Sequence, residues 1–450
     1  MKKQKLSRRD FMWRTAGTTG AAFAGSTILL DAGPFAAANV PVAPSDTVRF
    51  GIVGIGMQGS GLLRTAVSLP GTECVAACDL YDGRHDLAKE LVGKPIPTTR
   101  RYQDLLDNKD IDCIINATPD HWHKSIVVDC CNAGKDVYCE KPLTHATSEG
   151  FEIINAAEKN HRIVQVGSQR VSSAIFAKAK ELIASGAIGE VHTVEAMLGR
   201  NDPNGAWVYT PPPDLSPQTL DWDTWLGRAP KVRFNPLHFA RWRCWQVYGS
   251  GVAGDLMVHL LSGIHFAGGI TQPPERALAT GGLFRFTDGR DVPDVHCVLY
   301  DYPQFPVVIR LTLNCETPEI TRFLGTGGQI QVTVSELTLT TQDGTDHDPG
   351  WYYRSFPRNL RQDYEKQWHA ENDARLEKRE SETVTYRAAL SYDDVKPHMR
   401  NFFDSVRTRK PVVEDAVFGN HTAIACHMAN ASCFKKAMAV WDASSGSIRT

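Results

Sequence analysis

Val48-Arg49-Phe50-Gly51-Ile52-Val53-Gly54-Ile55-Gly56-Met57-Gln58-Gly59 decides the fold of this chain. Val48, Phe50, Ile52 and Val53 read as a buried parallel strand, and the pattern after it predicts a helix over 60–68 that opens at the glycines. Gly54 allows the tight turn, Gly56 lets backbone approach a pyrophosphate, and Gly59 lets helix and strand pack closely. A diphosphate can then sit on the helix N-terminal amides, which puts Gly54, Gly56, Met57, Gln58 and Gly59 in a dinucleotide cradle. An acidic residue is expected to close the second strand, and Cys74-Val-Ala-Ala-Cys-Asp79 supplies it. Asp79 can accept hydrogen bonds from an adenosine ribose 2′-OH and repel a 2′-phosphate, so NAD is favoured over NADP. Arg84 nearby leaves NADP open.

Further along, strand and helix patterns alternate through residue 168: a strand over 111–118, a helix over 124–133, a strand over 136–139, a helix over 148–160 and a strand over 163–166. This is an α/β, doubly wound parallel sheet, a Rossmann domain over 47–168. Right-handed crossovers bring the C-terminal strand ends to one edge, so the glycine loop, Asp79, Thr118-Pro119-Asp120 and Glu140-Lys141-Pro142 converge there. After Gln169 the texture changes. A strand over 191–197, a Pro-, Trp- and Asn-rich stretch, a helix over 254–266 and β-rich runs between 277 and 341 predict a second α+β domain, 169–445, with a large, chiefly antiparallel sheet. Residues 342–390 read as polar surface loops or helices, and 397–407 and 416–439 as closing helices.

The N-terminus carries a separate signal. Ser7-Arg8-Arg9-Asp10-Phe11-Met12 is a twin-arginine pattern, followed by an Ala/Gly/Thr-rich run and by Ala36-Ala37-Ala38, a small-residue cleavage site. Residues 1–38 are expected to be a removed signal peptide, delivering the folded protein to the periplasm through the twin-arginine export machinery. No later stretch has the ~20 unbroken apolar residues of a membrane span. Losing residues 1–38 removes six Lys/Arg and two acids, taking the formal charge from −2 to −6. Such a balance does not indicate a nucleic-acid partner. The eleven cysteines include no C-x-x-C pair and lie largely in apolar patterns, so no zinc site or disulfide framework is expected.

The chain resembles the glucose-fructose oxidoreductase, inositol dehydrogenase and MocA (Gfo/Idh/MocA) family. The likeness is carried by Val48 to Gly59, Ala117-Thr-Pro-Asp-His-Trp-His123, Glu140-Lys-Pro142, Leu220-Asp-Trp-Asp-Thr-Trp-Leu-Gly227, and Gly254-Asp255 with His259. It implies that Thr118, Pro119, His121, Glu140 and Lys141 contribute to the cofactor site and that Trp122 packs beside the nicotinamide. His121 and His123 are two apart, but no third ligand accompanies them, so no metal is expected. The family's pairing through the open second sheet implies a homo-oligomer. Two departures bear on the pocket around His259: the lead Tyr248-Gly-Ser-Gly-Val-Ala-Gly254, and Val258 where the family commonly has a small residue.

Residue types give the chemistry. Oxidising a secondary alcohol needs a base for the hydroxyl proton, while a buried cation lowers the cost of the developing alkoxide. Lys141 suits the second need. Asp255 and His259, four apart on a helix, share a face; His259 can serve as acid/base, and Asp255 can orient it, bind a neighbouring hydroxyl or itself be the base. The family's corresponding residues have these roles. The cluster His238, Arg241, Trp242, Arg243, Trp245 and Tyr248 mixes flat rings with fixed donors, suited to pyranose faces and hydroxyls, so His238, Arg241 and Trp242 join Lys141, Asp255 and His259 as substrate contacts. Outside the cytoplasm no free NAD(H) pool recycles a dissociating cofactor, so the nucleotide is expected to be tightly held and restored within each cycle. The expected enzyme is therefore an NAD(P)-dependent oxidoreductase acting on a sugar, glycoside or polyol. The alternative is an NAD-dependent glycoside hydrolase using transient oxidation and elimination. A non-catalytic sugar-binding protein is disfavoured by the joint presence of Lys141, Asp255 and His259.

Overall fold

The structure is a computed structural model and describes residues 26–30, 43–342, 349–376, 381–389 and 392–450. The twin arginines and Ala36 to Ala38 lie outside the described residues. Six parallel strands form the first sheet, in the order Thr98–Thr99, Thr72–Cys78, Val48–Val53, Cys113–Asn116, Asp136–Glu140 and Val164–Gly167. Phe50, Ile52, Ile114, Ile115, Val137 and Tyr138 are wholly buried in it. Both faces are covered by helices, as an all-parallel sheet with continuous apolar strands requires. Met57–Val67 begins right after the glycine turn, three residues before the expected start. Likewise Asp120–Asn132 begins four residues early, because Pro119 is extended and ends the preceding loop.

The second sheet has eleven strands and is antiparallel except where Val191–Gly199 pairs with Pro306–Thr312 and where Ser26–Leu30 pairs with Thr383–Ala388. Its alternation is regular: in Pro306–Thr312, Val307, Ile309 and Leu311 are buried while Val308 and Arg310 face outward. Helices Ala174–Ala184, Val258–Gly268 and Ala416–Lys435 cover the inner face. Sequence reading missed five strands here, among them Ser26–Leu30, which falls in the expected signal peptide, and Ala439–Asp442 and Ser447–Arg449 at the sheet's other edge. Thr317–Gly325 has a shifted register that breaks its alternation, and Thr383–Ala388 is short and flanked by charged residues. Arg358–Leu376 forms one long helix within the stretch expected to be polar and exposed.

One boundary differs from expectation. Helix Val395–Thr408, assigned to the second domain, buries Met399, Phe402 and Phe403 against Val48 and Phe50 of the first. Its amphipathic face is specified locally, but the surface that receives it is some 350 residues away along the chain. The segment 200–245 also returns, crossing the first domain's edge: Asp221 N–H donates to Leu80 C=O at 3.0 Å, Asp82 N–H to Thr219 C=O at 3.0 Å, and Arg100 to Gln218 C=O at 3.1 Å. Leu220, Trp222, Trp225 and Leu226 pack there with Tyr81, Phe239 and Tyr248 into a small core of their own. Among the described residues no helix is long and apolar enough to cross a membrane.

Candidate active site

The strand ends, the returning segment and the π-turn Ala253–Met257 enclose a cleft of about 1210 Å³. That exceeds the space one small ligand needs and suits a dinucleotide with a second molecule. At one end, Gly54 sits at φ 88°, and a Cβ there would lie 2.7 Å from Ala117 O, so only glycine fits the turn. Gly56 precedes the helix, and the free first-turn amides beginning at Met57 face the cleft. Gly59 is buried in the helix and does not line the cleft; it packs on the Gly54 carbonyl, as its expected packing role requires.

Asp79 lines the cleft yet is tied into the loop. Its carboxylate accepts from Ile55 N–H at 2.7 Å and Tyr81 N–H at 3.0 Å, and the Arg84 guanidinium stands 3.3 Å away. These groups fit the adenosine end of a dinucleotide, with one charge of each sign where a ribose would lie.

Thr118, Pro119, Trp122, Glu140 and Lys141 line the middle of the cleft. Trp122 is fixed by its Nε1–H to Trp225 C=O at 2.9 Å. Glu140 is buried, and burial pushes its carboxyl pKa up against the charge of Lys141; it accepts from Gln58 Nε2 at 2.9 Å and Gln169 Nε2 at 3.2 Å. Gln58 therefore braces the Glu140–Pro142 loop from the cofactor helix. His121 does not line the cleft. Both its ring nitrogens meet backbone carbonyls, Trp225 O at 3.0 Å and Tyr248 O at 3.3 Å, so it holds the returning segment instead of touching cofactor. His123 has the same kind of work, bridging Pro142 O and Thr118 O.

At the far end, Lys141 Nζ donates to Asp255 O at 2.6 Å and to Asp255 Oδ1 at 3.0 Å. Asp255 also accepts from Arg243 Nε at 2.9 Å and from Trp207 Nε1 at 3.0 Å. Burial alone would raise this carboxyl, but the charges and hydrogen bonds of Lys141 and Arg243 outweigh it and hold the group far below the usual carboxylate range. Asp255 is thus an anion whose carboxylate accepts three hydrogen bonds, an arrangement that fits a counter-ion to Lys141 and Arg243 and not the base, one of the roles expected of it. It does not orient His259 either. His259 Nδ1 meets Ser168 O at 3.1 Å; since a carbonyl only accepts, Nδ1 carries the proton and Nε2 keeps its lone pair. Burial, helped by the charges of Lys141 and Arg170, depresses the His259 pKa well below the ordinary value, so the ring is neutral. The π-turn explains the separation of the two residues: inserting one residue per turn re-aims Asp255 toward Lys141. Gly254 permits this, because a Cβ there would press on Pro142 at 3.0 Å and more closely on Ser250.

Trp242 lines the cleft; His238 and Arg241 do not. His238 stacks on Trp245 at 4.2 Å, and Arg241 Nε donates to the Tyr209 backbone carbonyl at 2.9 Å. The 3₁₀ turn Trp242–Cys244 points Arg243 inward instead, and nothing in the alternation Arg-Trp-Arg distinguishes the two arginines beforehand. Sequence reading also missed Arg200, Trp207 and Tyr209, which reach the cleft from a stretch with no periodicity to mark it. The geometry combines a cradle for a dinucleotide with a cation and a neutral imidazole beyond it.

Residues 48–168 match the family GFO_IDH_MocA, described as an oxidoreductase family with an NAD-binding Rossmann fold. This segment is a Gfo/Idh/MocA-type Rossmann domain. Inositol 2-dehydrogenase of Salmonella typhimurium is 37% identical over 146 residues, 32% of this chain and 44% of that protein. A glycosyl hydrolase family 109 protein of Shewanella pealeana is 31% identical over 175 residues, 35% of this chain and 38% of that protein. The chain therefore spans less than half the length of these curated relatives. A levoglucosan dehydrogenase solved with NADH and levoglucosan superposes with a TM-score of 0.63 at 18% identity, covering 87% of this chain and 98% of that one. That likeness shows a shared fold across both domains.

Proposed function

We propose that the protein is an NAD(P)-dependent oxidoreductase acting on a secondary hydroxyl of a sugar, glycoside or polyol. The observation that carries this reading is the pairing of Lys141 with a neutral His259 in one cleft with the glycine cradle. Bound nicotinamide dinucleotide would supply the hydride acceptor. The rest is work for the chain's own groups. His259 Nε2 receives the hydroxyl proton, and its imidazolium is steadied by the Ser168 carbonyl on Nδ1. Lys141, oriented from both sides by Asp255, donates to the substrate oxygen as negative charge grows on it. Trp207 and Arg243 fix Asp255, so the cation does not reorganise during the reaction.

We further propose that the cofactor is tightly held and recycled within the catalytic cycle. The segment 200–245 supports this, because Thr210, Pro212, Trp225 and Phe239 of that segment wall the same cleft as the glycine loop. Asp79 makes NAD the favoured form, and the Arg84 cation keeps NADP admissible. A second reading, glycoside hydrolysis through transient oxidation and re-reduction of one carbon, draws on the likeness to the family 109 protein and uses the same residues. Export by the twin-arginine machinery and a periplasmic location are proposed from Arg8, Arg9 and Ala36 to Ala38; N-terminal sequencing that still found Met1 on exported protein would refute them. Homo-oligomerisation through the outer face of the second sheet is supported by the cross-strand row Leu278, Leu299 and Val308, exposed at 56%, 48% and 36%; light scattering tests it.

The experiment for the activity is to denature purified protein, identify any released nucleotide, then add sugars and glycosides to native protein and follow absorbance of the reduced nicotinamide. Persistent reduction supports a dehydrogenase, and product release without net reduction supports the hydrolase or an oxidoreductase that returns the hydride to a second carbonyl within the cycle. A protein that carries no nucleotide and binds none refutes both.

A further inference from the structure

Arginine donors at the substrate end outnumber the carboxylates that meet them. Asp255 already answers two cations, Lys141 at 3.0 Å and Arg243 at 2.9 Å. Arg200 lines the same cleft, and no carboxylate stands within ion-pair distance of it among the described residues. The other acid that this domain brings to the cleft, Asp221, caps a helix beside Leu80 at the opposite end. The first domain's two acids nearby are engaged otherwise, Asp120 accepting from Ser250 and Glu140 from Gln58 and Gln169, so among the described residues the Arg200 guanidinium and the remaining donors of Arg243 meet no carboxylate. Arg200 and Arg243 lie near one spot beside Asp255, since the charges of all three act on the Tyr209 phenol.

The donors of both arginines are also underused. Arg243 spends only Nε on Asp255, its guanidinium lying over the Trp242 ring at 4.3 Å, and Arg200 offers one terminal nitrogen to Gly205 O at 3.3 Å. Two planar forks with free N–H groups thus meet in a cleft walled by Trp207, Tyr209 and Trp242. A neutral sugar would leave these donors without an anionic partner. A planar carboxylate on the sugar would answer them with two parallel hydrogen bonds per fork.

We infer that the substrate is an anionic sugar, a uronate in the first instance, whose charged group is held by Arg200 and Arg243 while a ring hydroxyl lies at Lys141 and His259. This rests on the sugar-binding reading above and narrows it to a substrate class. The test uses the purified protein with its nucleotide and reads binding by quenching of tryptophan fluorescence, Trp207 and Trp242 being in the cleft. Glucuronate, galacturonate and mannuronate are each titrated against the neutral parent hexose, with glucose 6-phosphate as the arm that separates carboxylate from phosphate. In at least one pair the acid is expected to bind roughly tenfold or more tightly, as charge-assisted hydrogen bonds to a partly buried guanidinium give. Arg200→Gln is expected to abolish that preference by weakening the acid far more than the neutral parent, and Arg243→Lys to weaken it. A tighter phosphate arm keeps the anionic class and reassigns the group. Equal affinity for acid and parent in every pair, or a preference indifferent to Arg200→Gln, overturns the inference. Nicotinamide absorbance in the same cuvettes reads the oxidoreductase proposal separately. An acid that binds preferentially without reducing the nucleotide counts against oxidation of that sugar while sustaining the anion site.

Discussion

Lys141 reaches Asp255 twice, through a backbone carbonyl and a carboxylate oxygen, so its ammonium has one remaining direction of donation, into the cleft. Lys141→Ala and His259→Ala are each expected to lower turnover by orders of magnitude, with bound nucleotide retained because neither belongs to the glycine cradle, and the double variant to fall far short of additive. Near-full activity of His259→Ala would dismiss it as the base. Because the base must be neutral and the His259 pKa is depressed by burial, Lys141 and Arg170, the acid limb of kcat/KM is expected well below pH 6.5. A limb at or above the ordinary histidine value would show that another group titrates. Asp79→Ser is expected to relax discrimination between NAD and NADP, as removing a ribose-binding acid does. Since Asp79 also holds Ile55 N–H, affinity for both nucleotides is expected to drop as well. An unchanged affinity ratio would put the ribose elsewhere.

At the scale of elements, the segment 200–245 does the enclosing. Its anchor is the stacked pair Trp222 and Trp225, 4.9 Å apart and 9° from parallel, wedged between Tyr81, Phe239 and Tyr248. Trp225 also accepts from both His121 and Trp122 through its carbonyl, linking cover to cofactor helix. Trp225→Ala removes most of the packing of that anchor, a change worth about 3–5 kcal/mol in a well-packed core. The variant is expected to lose nucleotide during gel filtration that the parent protein retains through the same column. Equal retention by both proteins would mean that the covering segment does not hold the cofactor.

The whole molecule is tied together by buried polar groups, and these set its response to acid. Arg170 pairs with Glu319 of the second sheet at 3.0 Å and with Asp394, which leads into the helix covering the first domain, at 2.9 Å. His398 donates and accepts across the same seam, to Val166 O and Ser172 Oγ. Burial pushes the imidazoles of His121, His296 and His398 down to about 4 and those of His265 and His427 to about 3. A histidine kept neutral in the fold but free to charge when unfolded contributes stability that is present above 6.5 and lost as pH falls below it. Five such groups together give a slope of at most about 7 kcal/mol per pH unit, approached near pH 5, against a total stability of about 5–15 kcal/mol. Unfolding followed by circular dichroism is expected to show an acid midpoint above pH 4.5. A protein still folded at pH 4 would mean that these imidazoles can charge inside the fold.

The first sheet was legible in the sequence because its strands are buried on both faces and its turn needs glycine at Gly54, both properties of a few adjacent residues. Glu140, Lys141, Asp255 and His259 were legible because their residue types carry the chemistry. Their division of labour was not. Whether Asp255 is base or counter-ion depends on Lys141, Arg243 and Trp207 arriving around it from three other parts of the chain, and on a π-turn that period-3.6 reasoning does not foresee. The same holds for Arg243 over Arg241, and for helix Val395–Thr408 crossing to the first domain. Local spacing determines which face of an element is apolar; what that face meets is decided by burial of surface contributed by residues far away in sequence, and only the folded chain contains that information.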